Sequence, residues 1–442
     1  MKVSIVGTGY VGLVTAAGLA RLGHDVVCVD RDPTRVEEIE AGRCPIHEAG
    51  LSELLELVAP RLRATTDTVE AVRSTELTMI CVGTPLADDA IDLSQIRSAA
   101  SEIGAALSGS TERHTVVVKS TVVPGTTEGV VGPLLEQASG RTVGSEIGLG
   151  MNPEFLREGV AVDDFMDPDR IVIGGVDDES VATIERLYEG FAGVHVVRTT
   201  PSTAEMIKYS SNALLATLIS FSNEIANLAA SVEVDSVDVM AALHLDRRLS
   251  PRAADGSLVS PGVLSYLEAG CGFGGSCFGK DVRALIDLGR TRGEDMPMLR
   301  STIDINTAQP QQMIKLLRRH FDSLDGVHVA VLGIAFKPGT DDTRESPSLP
   351  VMRELIGAGA RVTAYDPIAT LEAAPDLQSD VNVVDDLASA IEGVDAIMLV
   401  TSWEEFRNVP DLTRGRQPAP VIVDGRRMLP VDSVPIYEAI GR

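Results

Sequence analysis

Along the first 200 residues, short apolar runs alternate with stretches in which apolar positions recur every three or four residues. The runs Val3–Val6, Val26–Val29, Met79–Val82, Thr115–Val118, Ile147–Met151 and Ile171–Ile173 predict strands, with helices between most of them. That rhythm predicts a parallel, doubly wound α/β sheet, because each parallel pair of strands needs a crossover between them. From about Ser202 the period changes. Ile207, Leu214, Leu218, Phe221, Ile225, Leu228 and Val232 recur at spacings of three, four and seven, which predicts one helix of about 30 residues. Leu215, Ile219 and Ala229 widen its stripe, so more than one face is expected to be covered, as in a helix that links domains and builds a subunit interface. A monomer with a domain-spanning helix is the alternative.

After Pro310 the strand–helix alternation returns, beginning with Val327–Leu332. The spacing Gly-x-x-Val-x-x-x-Asp of Gly23–Asp30 recurs in Gly359–Asp366, each a helix end followed by a strand that closes on a carboxylate. The expected fold is therefore α/β, with two Rossmann-like doubly wound domains joined by a long central helix and a helical linker domain. Boundaries are expected at 1–201, 202–310 and 311–442. A length of 442 residues, at roughly 150 per domain, allows two or three such units.

Charge narrows the partners. With 38 basic against 64 acidic side chains the net charge is −26, which excludes a nucleic-acid binder, since phosphate backbones need clustered Lys and Arg. The same balance repels anionic small molecules unless basic residues gather in one place. The five cysteines are odd in number and scattered through a chain too large to need stapling, which points to a reduced, cytoplasmic compartment. No CxxC pair or HxxxH occurs, so no metal site is expected. No apolar stretch reaches the 18 or so residues of a spanning helix, and no export signal opens the chain, so neither membrane nor export is expected.

Two segments carry candidate chemistry. Gly7-Thr8-Gly9-Tyr10-Val11-Gly12 follows the first strand and opens a helix expected over Leu13–Leu22. Its glycines allow a tight turn, close approach of a pyrophosphate and close helix packing, while the helix N-terminus offers amides to the phosphates. Asp30 ends the second strand 18 residues past Gly12, where a carboxylate binds ribose hydroxyls and disfavours a 2′-phosphate; NAD is thus favoured over NADP, with neighbouring Arg31 as the counter-indication. The second segment, Gly270–Asp281, holds five glycines within ten residues, and is expected to be a loop whose amides approach a ligand. Cys277 precedes a helix expected over Val282–Leu288, with Lys280 three residues on. A helix N-terminus and a cation both lower a thiol pKa, so Cys277 reads either as a nucleophile or as a small buried cysteine in a turn. Cys271 reads as passive. Lys208 and Asn212, four apart, share a helix face and could hold an oxyanion. Glu154 and Glu158 follow the strand Ile147–Met151, at the edge where ligands of parallel sheets bind.

Taken together these segments resemble the nucleotide-sugar 6-dehydrogenases, over nearly the whole chain and in that family's order. The resemblance runs through GTGYVG, CVGTP (Cys81–Pro85), KSTVVPGT (Lys119–Thr126), NPEFLREG (Asn152–Gly159), DPDRIVIGG (Asp167–Gly175), EMIKYSSNA (Glu205–Ala213), GFGGSCFGKD (Gly272–Asp281) and GIAFKPGTDDTRESPS (Gly333–Ser348). It implies a four-electron oxidation of a sugar CH2OH to a carboxylate with two NAD per turnover. UDP-glucose is the leading substrate; GDP-mannose, dTDP-glucose or an N-acetylated UDP-sugar are alternatives. A single-hydride 3-hydroxyacid dehydrogenase and a non-catalytic NAD sensor are the readings from other classes.

By the resemblance, Cys277 is the nucleophile, Lys208 and Asn212 stabilise oxyanions, Asp281 and a water near Thr121 handle protons, and Glu154 assists hydrolysis. Cofactor contacts map onto Gly7, Gly9, Tyr10, Val11, Gly12, Asp30, Arg35, Thr84, Thr121, Glu158, Lys280 and Arg344. Sugar-nucleotide contacts map onto Glu154, Phe155, Leu156, Arg157, Glu158, Lys208, Asn212, Tyr266, Leu267, Glu268, Ala269, Gly270, Gly274 and Lys337. Arg248, in Leu245-Asp246-Arg247-Arg248, is the candidate for reaching a neighbouring subunit's substrate in a homodimer or larger assembly. Two departures stand out. Gly279 replaces a usual proline, which is expected to loosen the loop, and Leu249–Leu264 is about a dozen residues longer than usual and is expected to be a loop.

Overall fold

The structure is a computed structural model that describes residues 1–87 and 89–442. By compactness the chain divides into two units, 1–211 and 212–442. The division falls inside the long helix rather than at its start.

The first unit is built on an eight-stranded sheet: β1 (Lys2–Val6), β2 (Asp25–Val29), β3 (Leu62–Thr65), β4 (Leu77–Ile80), β5 (His114–Val118), β6 (Ile147–Met151), β7 (Arg170–Gly175) and β8 (His195–Thr199). Their order is β8-β7-β6-β5-β4-β1-β2-β3. The central strands β4, β5 and β6 are buried at every position, as near-continuous apolar runs covered on both faces should be. The two strands that the apolar pattern missed, β3 and β8, are the sheet's edges. Their sequences, LRAT and HVVRT, are half-exposed and mix charge with apolar residues.

One feature departs from the all-parallel expectation. β6 and β7 pair antiparallel, Gly150 opposite Gly175 and Met151 opposite Gly174, while the other joints are parallel. Between them the only helix is the six-residue α2 (Ala161–Met166).

The first helix of the chain, α1, spans Tyr10–Arg21, three residues earlier than its apolar pattern suggested. α3, Pro201–Ser231, is the long helix of 31 residues. Its length and apolar composition alone would suffice to cross a bilayer. Its first three turns, however, carry Glu205 and Lys208, both buried and bonded to loops of the first unit.

The second unit contains a six-stranded, wholly parallel sheet: β9 (His328–Leu332), β10 (Arg361–Tyr365), β11 (Val381–Val383), β12 (Ala396–Leu399), β13 (Val421–Asp424) and β14 (Tyr437–Ala439), in the order β11-β10-β9-β12-β13-β14. Both sheets thus have the Rossmann-like α/β form, with helical connections. Ahead of the second sheet stands a helical region that includes α4 (Phe278–Arg292). The long segment 249–264 is a loop with one antiparallel bridge, Arg252 to Leu258, until its last three residues enter the short 3-10 helix Gly262–Tyr266.

Candidate active site

At the first corner of unit one, chain geometry and glycine are matched. Gly7 has φ +96°, and a Cβ there would stand 2.8 Å from the Cys81 carbonyl oxygen; a Cβ on Gly12 would stand 1.9 Å from the Gly7 carbonyl oxygen. Gly9, by contrast, faces open space and forms the N-cap of α1 without a side-chain cap. The first turn therefore presents bare amides where a diphosphate would sit. Asp30 follows β2 and accepts from the Thr8 amide at 2.9 Å, the Thr8 hydroxyl at 2.6 Å and the Asp32 amide at 3.1 Å. Burial opposes its ionisation, but these bonds and the Arg35 guanidinium hold its pKa below the usual carboxylate value. Arg35 itself donates to the Thr8 carbonyl at 3.3 Å. The bare amides, the close-packed glycines and an ionised carboxylate at the ribose position fit a dinucleotide without a 2′-phosphate.

Thr84, after β4, donates its hydroxyl to the Thr121 carbonyl at 2.9 Å, so two predicted cofactor residues hold each other. Tyr10 is turned to another task. Its hydroxyl donates to Glu48 at 2.7 Å, and the same buried carboxylate accepts from the Gly159 and Ala161 amides at 2.7 Å each. Glu48 thereby ties the glycine-rich corner to the end of the Asn152–Gly159 segment and caps α2. Burial first, and then Glu48, push the Tyr10 phenol far up.

The strand-end carboxylate Glu154 and the helix cation Lys208 form an ion pair at 2.9 Å, both almost wholly buried. Two residues assigned separately thus neutralise each other. Lys208 also lies 5.5 Å from the Phe155 ring centroid, which Arg170 covers at 3.9 Å. Glu154 accepts from the Leu156 amide at 2.6 Å. Arg157 is spent largely on a forked pair with Asp164, its nearest contact 2.6 Å. Lys119, which had no role in the expected site, is buried and donates to the Asn152 side chain at 3.0 Å, with the Tyr188 hydroxyl bonded to the same oxygen.

In unit two, α4 begins at Phe278, earlier than expected, so Cys277 is the N-cap residue and Gly279, Lys280 and Asp281 lie in the first turn. The expectation that all five glycines belong to a loop therefore fails at Gly279. A Cβ on Gly279 would stand 2.0 Å from a Glu345 carboxylate oxygen, and Glu345 is paired with Arg283 at 2.9 Å; glycine permits close packing here. Asp281 is 1 % exposed on its side chain. It accepts from the Asn212 amide at 2.6 Å and from Lys280 at 2.6 Å. Cys277 is partly exposed, with the Ser276 hydroxyl 3.6 Å from its sulfur.

The loop before it is held by neutral amides that sequence reasoning missed. Asn306 accepts from the Phe273 amide at 2.8 Å and donates to its carbonyl at 3.0 Å. Gly270 donates to Asn223 at 2.8 Å and accepts from Gln309 at 2.8 Å, which also accepts from Asn227. Only the Asn223–Asn227 spacing on one helix face could have hinted at this. Gly272 and Gly275 have φ +104° and +81°, and a Cβ on Gly274 would stand 2.4 Å from the Glu345 carbonyl oxygen. Tyr266 and Phe273 pack on Phe278 with centroids 6.2 and 5.8 Å apart.

Of the other predicted sugar contacts, Leu267 is buried, its carbonyl accepting from His244. Ala269 is half-buried and Glu268 exposed. Lys337 lies 5.4 Å from the Phe336 ring centroid. Arg344 forks onto Asp342, both contacts 2.8 Å. Arg248 pairs with Asp246 and is 88 % exposed on its side chain. The acidic excess is not all at the surface: Glu48, Glu154, Glu205, Asp281, Asp366 and Asp424 are buried.

A dinucleotide corner on one α/β sheet, a second α/β sheet that lacks it, and a thiol at a helix N-cap between them in sequence define a nicotinamide-dependent dehydrogenase with a separate nucleotide domain. Comparison with known proteins agrees. The NAD binding, central and UDP binding domains of the UDP-glucose/GDP-mannose dehydrogenase family match residues 1–192, 202–308 and 330–431, and the chain belongs to that family. It is 44% identical over 435 residues to the UDP-glucose 6-dehydrogenase of Haloferax volcanii, covering 97% of each. It is 43% identical over 371 residues to the GDP-mannose 6-dehydrogenase of Pseudomonas syringae pv. tomato, covering 83% of this chain and 81% of that one. Among solved structures it matches a UDP-glucose dehydrogenase from Pyrobaculum islandicum with TM-score 0.89 and 38% identity, over 100% of this chain and 97% of that one. The chain is an NAD-dependent dehydrogenase of this family.

Proposed function

We propose that the protein oxidises UDP-glucose at C6 to UDP-glucuronate, through a covalent intermediate on Cys277. The observation that carries the covalent step is the position of Cys277. Cys28, Cys81 and Cys271 are buried, and burial raises their thiol pKa, that of Cys81 to about 12. Cys44 is also pushed up by burial, and its thiol donates to the Ile46 carbonyl. Cys277 stands partly exposed at a helix N-terminus, which stabilises a thiolate.

Bound NAD takes up the hydride lost from the sugar in each of the two oxidations. When C6 is an aldehyde, the Cys277 thiolate adds to it, forming a C–S bond and a thiohemiacetal whose oxygen gains the proton. Loss of the second hydride from C6, together with the hydroxyl proton, leaves a thioester, and water cleaves its C–S bond to give the carboxylate, a proton and the free thiol. Lys208 and Asn212 stabilise the oxyanion of the addition and hydrolysis steps. Asp281, pinned by Asn212 and Lys280, exchanges protons near the thiol, while Glu154 and a water at Thr121 serve hydrolysis. Arg344 and Lys337 supply positive charge for the diphosphates, and Arg248 reaches a neighbouring subunit's substrate. Leu214, Phe221 and Leu228, spaced by seven on α3, are exposed apolar side chains that support a homodimer, and the protein works in the cytoplasm with its thiols reduced.

Oxidation of GDP-mannose by the same chemistry is the second reading, favoured by the 43% identity to a GDP-mannose 6-dehydrogenase. A panel of UDP-, GDP- and dTDP-sugars assayed for NADH separates them. Two NADH per UDP-glucose is the expected result; a preference for GDP-mannose selects the second reading, and one NADH per sugar removes the thioester. Cys277→Ala is expected to bind the nucleotide sugar and lose turnover by at least about 10³-fold; undiminished turnover ends the covalent mechanism.

A further inference from the structure

Glu205 has no role in the site described so far. It is fully buried and lies three residues before Lys208 on α3. Its carboxylate accepts three hydrogen bonds from one loop: the Gly125 amide at 2.6 Å, the Thr127 amide at 2.8 Å and the Thr127 hydroxyl at 2.6 Å. That loop runs on directly from Thr121. Its near end is held by the Thr84 hydroxyl on the Thr121 carbonyl, at 2.9 Å, and by the Ser120 hydroxyl on the Val82 carbonyl, at 2.7 Å. Its far end is held by Glu205, with Ser202 of the same helix bonded to the adjoining Glu128 at 2.8 Å, and Gly125 there sits at φ +93°. The bonds also satisfy amides at the start of the helical run Thr127–Ser139, where a negative charge is favourable.

We propose that Glu205 is a positioning residue, locking the Thr121 loop to the turn of α3 that presents Lys208. Its carboxylate fixes the spacing between Thr121 and the Lys208–Glu154 pair while touching no substrate. This rests on the reading of Thr121 and Lys208 as working groups. A shift of about an ångström in such groups is enough to cost roughly 100-fold in rate. Burial, with Glu128 on the adjoining turn, pushes the Glu205 pKa up to about 7 despite the three bonds. Lys208, one turn along the same helix, is already paired with Glu154. The lock consequently carries full charge only in alkaline solution, and it weakens as acid removes that charge.

The test uses full-length Glu205→Gln, with Thr127→Val as a milder variant that deletes only the hydroxyl donor, and Thr121→Ala alongside. kcat and both KM values are measured from pH 5.5 to 9, and amide exchange is followed over residues 119–127. For Glu205→Gln the expected result is a kcat lower by about 10–100-fold and both KM values within threefold. Its acid limb near pH 7 is lost, and exchange across 121–127 is faster. Thr127→Val should move the same way by less, and decides the matter if Glu205→Gln does not fold. Wild-type kcat and pH profile in both variants overturns the proposal. Unchanged kcat in Thr121→Ala, with faster loop exchange in Glu205→Gln, sinks the reading of Thr121 while leaving the lock standing.

Discussion

Both α/β units make the same first corner, and use it differently. In each, a glycine follows the first strand with strongly positive φ, +96° at Gly7 and +101° at Gly333. Each glycine amide donates 2.8 Å to the carbonyl of the residue ending the next strand, Val29 or Tyr365. A carboxylate, Asp30 or Asp366, comes next in the chain. Past that point they diverge. After Gly7 a helix starts within three residues, and Asp30 stays half-exposed. After Gly333 no helix begins until Ser348. Asp366 is buried and accepts five N–H donors: Ile334, Ala335, Ile368 and Ala369 from the backbone, and the Trp403 indole at 3.0 Å. An acceptor filled in this way has nothing left for a ribose. One corner leaves its carboxylate half-exposed toward solvent, and the other spends it on holding a long loop that carries Lys337 and Arg344.

The largest expected effect tests that division. Asp366→Ala orphans five donors, three of them fully buried, and should cost about 3 kcal/mol or more, lowering the melting temperature by roughly 6–12 °C. NAD affinity should stay within about twofold. Asp30→Ala should do the reverse, weakening NAD by about 10–100-fold while costing under about 1.5 kcal/mol of stability. Calorimetry and NAD titration on the two variants decide it; similar behaviour in both would mean the corners are equivalent after all.

Trp403→Phe removes one donor of the five, and should cost about 1 kcal/mol. A loss as large as that of Asp366→Ala would show that the indole, not the backbone, holds Asp366. The smallest effect is in acid. The Asp30 pKa is below its unfolded value, so its contribution to stability is present above pH ~4 and drains as the pH falls through the lowered folded value. Acid unfolding of Asp30→Asn should show a slightly shallower loss than wild type below pH ~4.

The local features of this site were legible because their causes are local. A glycine needed for positive φ, a carboxylate at a strand end and a cysteine before a helix each announce themselves within a few residues. Glu48, Glu205 and Asn306 did not. Their partners lie 111, 78 and 33 residues away, and a buried Glu or Asn has no periodicity to betray it. What surrounds Gly279 was hidden for the same reason. Its meaning is Glu345, 66 positions on, pressed against the space a side chain would fill.

The sequence by itself determined the two sheets, the long helix, the family and the residue types available for chemistry, since periodicity and glycine spacing follow from backbone geometry. Tertiary structure decided how those residues are spent. It paired Lys208 with Glu154, bonded Asn212 to Asp281, filled Asp366 and left Asp30 room, because burial forces each polar group to find a partner and only the folded chain determines which partner is near.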